Sequence, residues 1–240
     1  MYYDYHLTVH ANDTDVNGIA SASHVLRYMQ EAANLQLRDC GPSNEDLRKE
    51  GLAFILSRFS MCLYRPLYAY DRITATTWAC PSRGASFERC SRITRGDDLI
   101  SELYTVWALV HIEDRSLCHV EDITFGFTTE EPLAFDAPKR VHLPRGAELP
   151  LIGERTVVYS DLDLNRHINN TNYPDMLCSY IPGGMLGRRV VRMAIHFMNE
   201  AQAGDSLRIY GGEYDSSTFF RTVGRNGTGV EAEFVTDIID

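Results

Sequence analysis

A run of alternating polar residues in the second half of the chain is the strongest candidate for chemistry. From Asp161 to Tyr173 it spells DLDLNRHINNTNY, with Asp163, Asn165 and His167 at every second position. On an extended segment such residues point to one side, so a carboxylate, a carboxamide and an imidazole would share a small volume. Those groups can orient water and exchange protons near neutral pH. The alternative is an Asx-rich turn that caps the next helix, since Asn and Asp favour such turns for local reasons.

An earlier segment is a partial copy of this run. Asp13–Ile19 (DTDVNGI) aligns with Asp161–His167 (DLDLNRH), and the two copies lie 148 residues apart. The first copy lacks the imidazole, because Ile19 stands where the second copy has His167. Such repetition indicates equivalent structural units. The sequence therefore predicts a duplicated domain in which one copy keeps the polar set.

The same order of elements is predicted around both copies. Apolar residues at helical spacing predict an amphipathic helix over 23–39, and alternating or β-branched runs predict strands. In the first half the expected elements are the helix 23–39, a short helix 44–50 and strands at 53–64, 72–80, 87–94, 99–112 and 116–127. In the second half they are a strand at 154–159, a helix at 171–180 and strands at 190–197, 205–214, 219–223 and 230–238.

These elements predict an α+β fold of the double-hotdog type. Each half would place one helix against an antiparallel sheet of about five strands, and the two sheets would join into one continuous sheet that covers two exposed edges. Four prolines between residues 132 and 150 predict a linker there. The expected organisation is an N-terminal repeat over 1–131, a linker over 132–150 and a C-terminal repeat over 151–240.

Composition narrows the functional classes. The 240 residues are 44% hydrophobic and 23% charged, as in ordinary globular proteins, and the net charge of −10 argues against indiscriminate binding to nucleic acid or anionic membrane. Six cysteines without a CxxC pair and eight scattered histidines predict no metal site and no cofactor. The first residues contain neither a basic nor an apolar stretch, so we expect no signal peptide, no membrane span and a cytoplasmic location.

Four segments, in order along nearly the whole chain, together resemble the acyl-acyl carrier protein (acyl-ACP) thioesterases. The run from Asp163 to Tyr173 resembles the signature D-x-N-x-H-x-N-N-x-x-Y of that family. The other three matching segments are Gln30–Asn34, Trp107–Leu117 and Asn199–Asp205. The resemblance implies the double-hotdog fold, and the lack of a transit segment favours a bacterial member similar to the plant fatty acyl-ACP thioesterases.

The resemblance implies Asp163, Asn165, His167 and Glu200 as the catalytic set. Glu200 would deprotonate a water, His167 would exchange protons, Asn165 would position the water or the thioester, and Asp163 would orient the imidazole. A carboxylate that attacks the thioester directly and forms an anhydride is the open alternative. Plant members often carry a cysteine after the glutamate; Ala201 stands there in this chain, so a thiol at that position cannot be essential.

The substrate needs an oxyanion site and an apolar pocket. Asn169 and Asn170, which we interpret mainly as loop and cap residues, open a helix whose free N–H groups would favour negative charge. The first half, having lost its polar set, is the predicted place for the acyl chain. Val25, Met29 and Ala32 on the first helix are the candidate lining residues, although such residues more often form plain core.

The expected macromolecular partner is the acyl carrier protein. That partner is acidic, so an acidic enzyme needs a local basic patch to meet it. The candidate residues are Lys139, Arg140, Arg145, Arg188, Arg189 and Arg192. A solvated charged face is the alternative for each of them.

The expected function is hydrolysis of fatty acyl-ACP thioesters to free fatty acid and holo-ACP. An acyl-CoA thioesterase is a close alternative, because the hotdog fold hosts both. A hotdog dehydratase or hydratase fits the polar run less well, and a non-catalytic acyl-binding protein predicts a broken polar set. Chain length, saturation preference and the choice between monomer and homodimer are left open by the sequence.

Overall fold

Eleven strands form one antiparallel sheet in the computed structural model, which describes residues 1–135 and 137–239. Asp136 of the predicted linker and Asp240 lie outside the described residues. The strands are β1 (Tyr3–Thr8), β2 (Leu52–Leu63), β3 (Arg72–Ala79), β4 (Phe87–Arg95), β5 (Asp98–His111), β6 (Leu117–Cys118), β7 (Leu151–Thr156), β8 (Arg188–Phe197), β9 (Ser206–Tyr214), β10 (Ser217–Gly224) and β11 (Gly227–Ile238). The helices are α1 (Ala22–Cys40), α2 (Asn44–Lys49) and α3 (Tyr173–Cys178).

The strand order confirms the predicted continuous sheet. It runs β1-β3-β4-β5-β2-β8-β11-β10-β9-β7, with β6 paired to β5, so each half repeats the same order outward from the centre. The halves meet where β2 pairs with β8, from Arg58 opposite His196 to Cys62 opposite Arg192. The 148-residue repeat also relates the outer strands, since β1 begins at Tyr3 and β7 at Leu151.

Helix α1 forms because apolar residues recur on one face and its ends are capped. The Ser21 hydroxyl accepts the backbone N–H of His24, and the N–H of Gly41 closes the last turn on Leu37. Its apolar face packs on the concave side of the sheet in one large core that both halves share. None of the helices in the described ranges has the length and apolarity needed to cross a membrane.

Two predicted elements differ from the structure. The strand predicted over 116–127 is only Leu117–Cys118 followed by a 3-10 turn, because Val120, Ile123 and Phe125 pack into a separate apolar cluster instead of a ladder. The helix predicted over 171–180 is the 3-10 turn 170–172 followed by the shorter α3. Strand β1 carried no prediction.

Candidate active site

The polar run forms a tight turn, so the predicted extended segment is wrong. The N–H of Asp163 donates to the carbonyl of His167 at 2.9 Å, and the N–H of Arg166 donates back to the carbonyl of Asp163 at 3.0 Å. The Asp163 carboxylate accepts the N–H of Asn165 at 2.7 Å and that of His167 at 3.4 Å. This is the Asx-turn alternative, and it gives Asp163 a backbone role rather than a contact with the imidazole.

The first copy of the motif folds into the same turn. The N–H of Asp15 donates to the carbonyl of Ile19 at 2.8 Å, and the Asp15 carboxylate accepts the N–H of Asn17 at 2.8 Å. The left-handed position is Gly18 in the first turn, with φ of 74°, and Arg166 in the second, with φ of 64°. A non-glycine residue in that region stores conformational strain, which the second copy tolerates.

The two equivalent asparagines face different surroundings. Asn17 is bound on three sides, because its amide donates to the carbonyls of Met185 and Arg188 at 2.9 and 3.0 Å and accepts the N–H of Gly187 at 2.8 Å. Asn165 is exposed, and its carboxamide oxygen accepts from the Arg48 guanidinium. Asn17 of the first copy therefore links the two halves by hydrogen bonds, while Asn165 of the second copy is exposed to solvent.

His167 and Glu200 meet beside the turn, as the family resemblance implies. The N–H of Ile168 donates to the carbonyl of Ala201 at 2.9 Å, which draws the two segments together. The Nε2 atom of His167 then lies 3.4 Å from Oε2 of Glu200 and 3.2 Å from the Gln202 amide. The imidazole is 14% exposed and the carboxylate 40%. The pair therefore lies at the protein surface, and the imidazole is the less exposed of the two groups.

Arg115 is a site residue that the sequence analysis missed. From the turn after β5 it donates to both carboxylate oxygens of Glu200, at 3.2 and 2.9 Å. The turn holds Arg115 in the left-handed region, with φ of 61°. The resemblance included this turn but gave no role to its arginine, because sequence alone does not show which distant carboxylate a cation reaches.

Buried Asp161, which opens the polar run, also carried no predicted role. Its carboxylate accepts from the Arg155 guanidinium and from the N–H of Val158 at 2.9 Å, and its carbonyl accepts the N–H of Asn169 at 2.9 Å. Only 5% of the residue is exposed. Asp161 therefore fixes the base of the turn, and its repetition as Asp13 was the available signal.

A cavity of about 880 Å³ opens next to the turn and extends into the first half. Asp163, Asn165 and Asn169 line its mouth, whereas His167, Glu200 and Asn170 are not among its lining residues. Asn169 also caps the 3-10 turn, since its side-chain oxygen accepts the N–H of Thr171 at 2.9 Å. The volume lies within the range of small-molecule sites.

The acyl-chain residues predicted on α1 lie on its core face, and Val25 lines a second cavity of about 390 Å³. Met29 and Ala32 are 0% exposed and Val25 is 2% exposed, all within the shared core, and none of them lines the larger cavity. The larger cavity is lined instead by Gln30, Ala33, Asn34 and Leu37. Neighbouring residues on a helix lie about 100° apart, so a shift of one position exchanges the core face for the cavity face.

Aromatic rings and several polar side chains line the rest of the wall. Phe54 contacts Phe87 and Phe125, with ring centroids 5.4 and 6.1 Å apart. Arg89 of β4 lies over the Phe127 ring at 5.5 Å. The Nε2 atom of Gln30 is buried and has no hydrogen-bond acceptor among the described residues.

Three of the basic residues predicted for carrier binding are engaged by acceptors within the protein. On β8, Arg188 donates to the carbonyl of Pro182 at 3.0 Å, Arg189 to that of Leu63 at 2.9 Å, and Arg192 pairs with Glu233 at 3.1 Å. Lys139, Arg140 and Arg145 are exposed on the segment before β7. The cations at the cavity mouth are Arg48 and Arg166, both exposed.

Across residues 1–135 and 137–239, His, Cys, Asp and Glu side chains form no group of three that could hold an ion. The six cysteines are free. The chemistry available at the site is that of carboxylates, carboxamides and an imidazole.

Comparison with protein-family models identifies the class of protein that this fold and site define. Residues 1–125 match the N-terminal domain of acyl-ACP thioesterases, and residues 149–234 match the C-terminal domain. The chain belongs to the acyl-ACP thioesterase family, a family of thioester hydrolases, as the sequence analysis predicted.

Individual relatives are distant. A chloroplast palmitoyl-acyl carrier protein thioesterase of Gossypium hirsutum is 21% identical over 187 residues, which cover 72% of this chain and 45% of the relative. A chloroplast oleoyl-acyl carrier protein thioesterase of Coriandrum sativum is 22% identical, with 99% and 70% covered. The chain spans about half the length of the first of these curated relatives.

Solved structures confirm the double-hotdog fold. An acyl-ACP thioesterase from Bacteroides thetaiotaomicron is 18% identical and superposes with a TM-score of 0.89 over 98% of both chains. A 12:0-ACP thioesterase from Umbellularia californica is 15% identical, with a TM-score of 0.80 over 99% of this chain and 98% of the other.

Proposed function

We propose that this protein hydrolyses fatty acyl-ACP thioesters and releases a free fatty acid and holo-ACP. The observation that carries the proposal is the His167–Glu200 pair, which adjoins the turn whose Asp163, Asn165 and Asn169 line a large, partly apolar cavity. A thioester at the mouth would place its acyl chain in the cavity and its carbonyl near the pair. Family membership supports the same reaction.

The proposed chemistry uses water as the nucleophile. Glu200 accepts a proton as the water oxygen attacks the carbonyl carbon. Amide N–H groups stabilise the resulting oxyanion, and the Asn165 carboxamide at the mouth is the proposed donor. The C–S bond then breaks, and protonated His167 gives its proton to the leaving thiolate. The 3.4 Å contact between His167 and Glu200 lets the proton return to the imidazole and restores both groups.

Two exposed arginines that line the cavity are the proposed binding residues for the carrier protein. Arg48 and Arg166 flank the cavity mouth and are better placed than the arginines of β8 to meet an acidic carrier that delivers its acyl group there. Electrostatic complementarity of this kind raises the association rate and makes it depend on salt. An acyl-CoA thioesterase is the alternative, because CoA is also anionic.

A substrate panel tests the proposal. Purified protein is offered acyl-ACP and acyl-CoA thioesters of several chain lengths, and released thiol is measured. Faster turnover of acyl-ACP supports the proposal, faster turnover of acyl-CoA favours the alternative, and absence of hydrolysis from every thioester rejects both. Single turnover in isotopically labelled water then separates the two routes, because label in an enzyme carboxylate would indicate the anhydride route.

A further inference from the structure

Of the three arginines that line the cavity, Arg48 and Arg166 are exposed and Arg89 is half-buried. Arg89 lines the cavity, and its Nη1 atom donates to the Gln36 side-chain oxygen and to Thr77 Oγ1 at 3.2 Å. Within the described part of the chain, no acceptor lies within reach of Nε or Nη2, and no carboxylate pairs with the guanidinium. Burial lowers the pKa of Arg89 to about 10, which still leaves it charged at neutral pH.

A series of contacts along the cavity wall connects the turn around Asn165 with Arg89. Asn165 at the mouth contacts Arg48 of α2, and the adjacent Leu47 packs in the same cluster as Phe54. From there a row of rings leads to Arg89: Phe54 to Phe125 at 6.1 Å, Phe125 to Phe127 at 5.1 Å, and Phe127 to Arg89 at 5.5 Å. An acyl chain that enters beside Asn165 and follows these rings brings its distal end to Arg89.

A purely hydrocarbon chain is a poor match for that end. It would displace water from the free N–H groups of Arg89 without replacing their hydrogen bonds, and a buried polar group without a partner costs free energy. An oxygen substituent on the chain would restore those bonds. A carboxylate would also neutralise the charge and can accept from two guanidinium N–H groups at once.

We propose that the cavity takes an acyl chain with an oxygen acceptor at its distal end, a carboxylate being favoured over a hydroxyl, and that Arg89 is the residue that selects it. The proposal rests on the proposed function for the thioester end of the substrate only. Arg89 takes no part in the bond-breaking steps, so its role is specificity.

Fluorescence of Trp107, which lines the cavity, provides a binding assay that does not need turnover. The probes are N-ethylamides of fatty acids at three chain lengths, each with a distal methyl, hydroxyl or carboxylate group. The amide replaces the carboxylate head of a free fatty acid, which could otherwise bind Arg89 in the reversed orientation. The amide also resists hydrolysis. At the length that reaches Arg89, we expect the carboxylate probe to bind at least tenfold more tightly than the methyl probe, with the hydroxyl probe between them.

Substitutions assign the preference to the cavity wall. Arg89→Met removes the preference, whereas Arg48→Met at the mouth leaves it unchanged. Arg89→Lys keeps the charge without the two-point geometry and retains part of the carboxylate preference, which provides a second variant should Arg89→Met fail to fold. Equal binding of the three probes at every length, or an unchanged preference in the Arg89 variants, overturns the proposal.

The binding result and the hydrolysis result are separable. If the amides show the preference while no thioester is hydrolysed, the proposed function fails and the assignment of Arg89 holds. If thioesters are hydrolysed and the amides show no preference, only the assignment of Arg89 fails.

Discussion

Arg115 and Glu200, which come from opposite halves of the chain, form a two-point ion pair in which Nη1 and Nη2 reach the two carboxylate oxygens at 3.2 and 2.9 Å. The same carboxylate faces His167 at 3.4 Å. The first half therefore fixes the orientation of a group that belongs to the second half, and the candidate site depends on how the halves meet.

Removing this ion pair is expected to affect turnover more than stability. Both side chains are more than a third exposed, so Arg115→Ala should change the free energy of unfolding by only about 0–1 kcal/mol. Without its anchor Glu200 samples other rotamers, and we expect kcat for acyl-ACP to fall about tenfold. Arg115→Lys keeps the charge but not the two-point guanidinium contact, so its kcat should lie between those of the unsubstituted protein and Arg115→Ala. Unchanged kcat in Arg115→Ala would show that Glu200 needs no anchor.

Loss of the imidazole or the carboxylate tests the proposed pair directly. His167→Ala and Glu200→Gln should each lower kcat by about two to four orders of magnitude, the range of general acid–base catalysis. Because the two groups exchange a proton, the double variant should lose much less than the sum of the single effects. Gln202→Ala, beside the same imidazole, is the control and should retain most of the activity. Full activity of His167→Ala removes that residue from the mechanism.

The two equivalent asparagines provide a matched pair of variants. Asn165→Ala should lower kcat with little change in stability, because the side chain is exposed and, among the described residues, hydrogen-bonds only to Arg48 and Asp163. Asn17→Ala should instead lower the free energy of unfolding by about 1–3 kcal/mol, since it removes three hydrogen bonds to the backbone of the second half. Urea unfolding and thioester hydrolysis measure the two effects. A loss of stability in Asn165→Ala together with a stable, less active Asn17→Ala would contradict the different roles of the two turns.

Neighbouring alanines on α1 distinguish the cavity wall from the core. Ala33 lines the cavity, so Ala33→Leu should shift the product profile towards shorter fatty acids while the protein remains folded. Ala32 is fully buried, so Ala32→Leu should overpack the core and cost about 1–3 kcal/mol of stability. Product chain length and thermal unfolding report on the two variants. An unchanged profile in a stable Ala33→Leu protein would mean that the acyl chain does not pass this wall.

His196 at the seam between the halves predicts acid sensitivity. Burial lowers its pKa, Arg140 and Arg58 lower it further, and Glu231 acts in the opposite direction. The unfolded chain, with a histidine pKa of about 6.5, then binds more protons than the folded chain, so stability falls as the pH drops below about 6.5. Each such group contributes a slope of at most about 1.4 kcal/mol per pH unit.

Substitution isolates that contribution to the acid sensitivity. In urea unfolding at several pH values, His196→Gln should show a shallower slope than the unsubstituted protein. Some slope will remain, because burial also lowers the pKa of His24. His119→Gln, at an exposed position, should leave the slope unchanged. An identical slope in His196→Gln would rule out His196 as a source of the acid sensitivity.

Local pattern and repetition were enough to predict the fold, but they predicted only part of the site. The repeat of Asp13–Asn17 at Asp161–Asn165 indicated two equivalent units, which the mirrored strand order bears out. The sequence left an extended segment and an Asx turn as alternatives for the polar run, because alternation in sequence has the same appearance in both. The contacts of Arg115 and Arg89 depend on which strands become neighbours across the sheet, and no spacing along the chain encodes that.

The seam between β2 and β8 ties the two halves into a single cooperative unit. Phe59 pairs with Ile195 across it and Met61 with Met193, and all four residues are fully buried. Either half alone would expose an unpaired strand edge and these side chains, a combination that promotes aggregation. Each copy therefore covers a strand edge of the other, so the copy with Ile19 in place of the imidazole still contributes half of the shared seam.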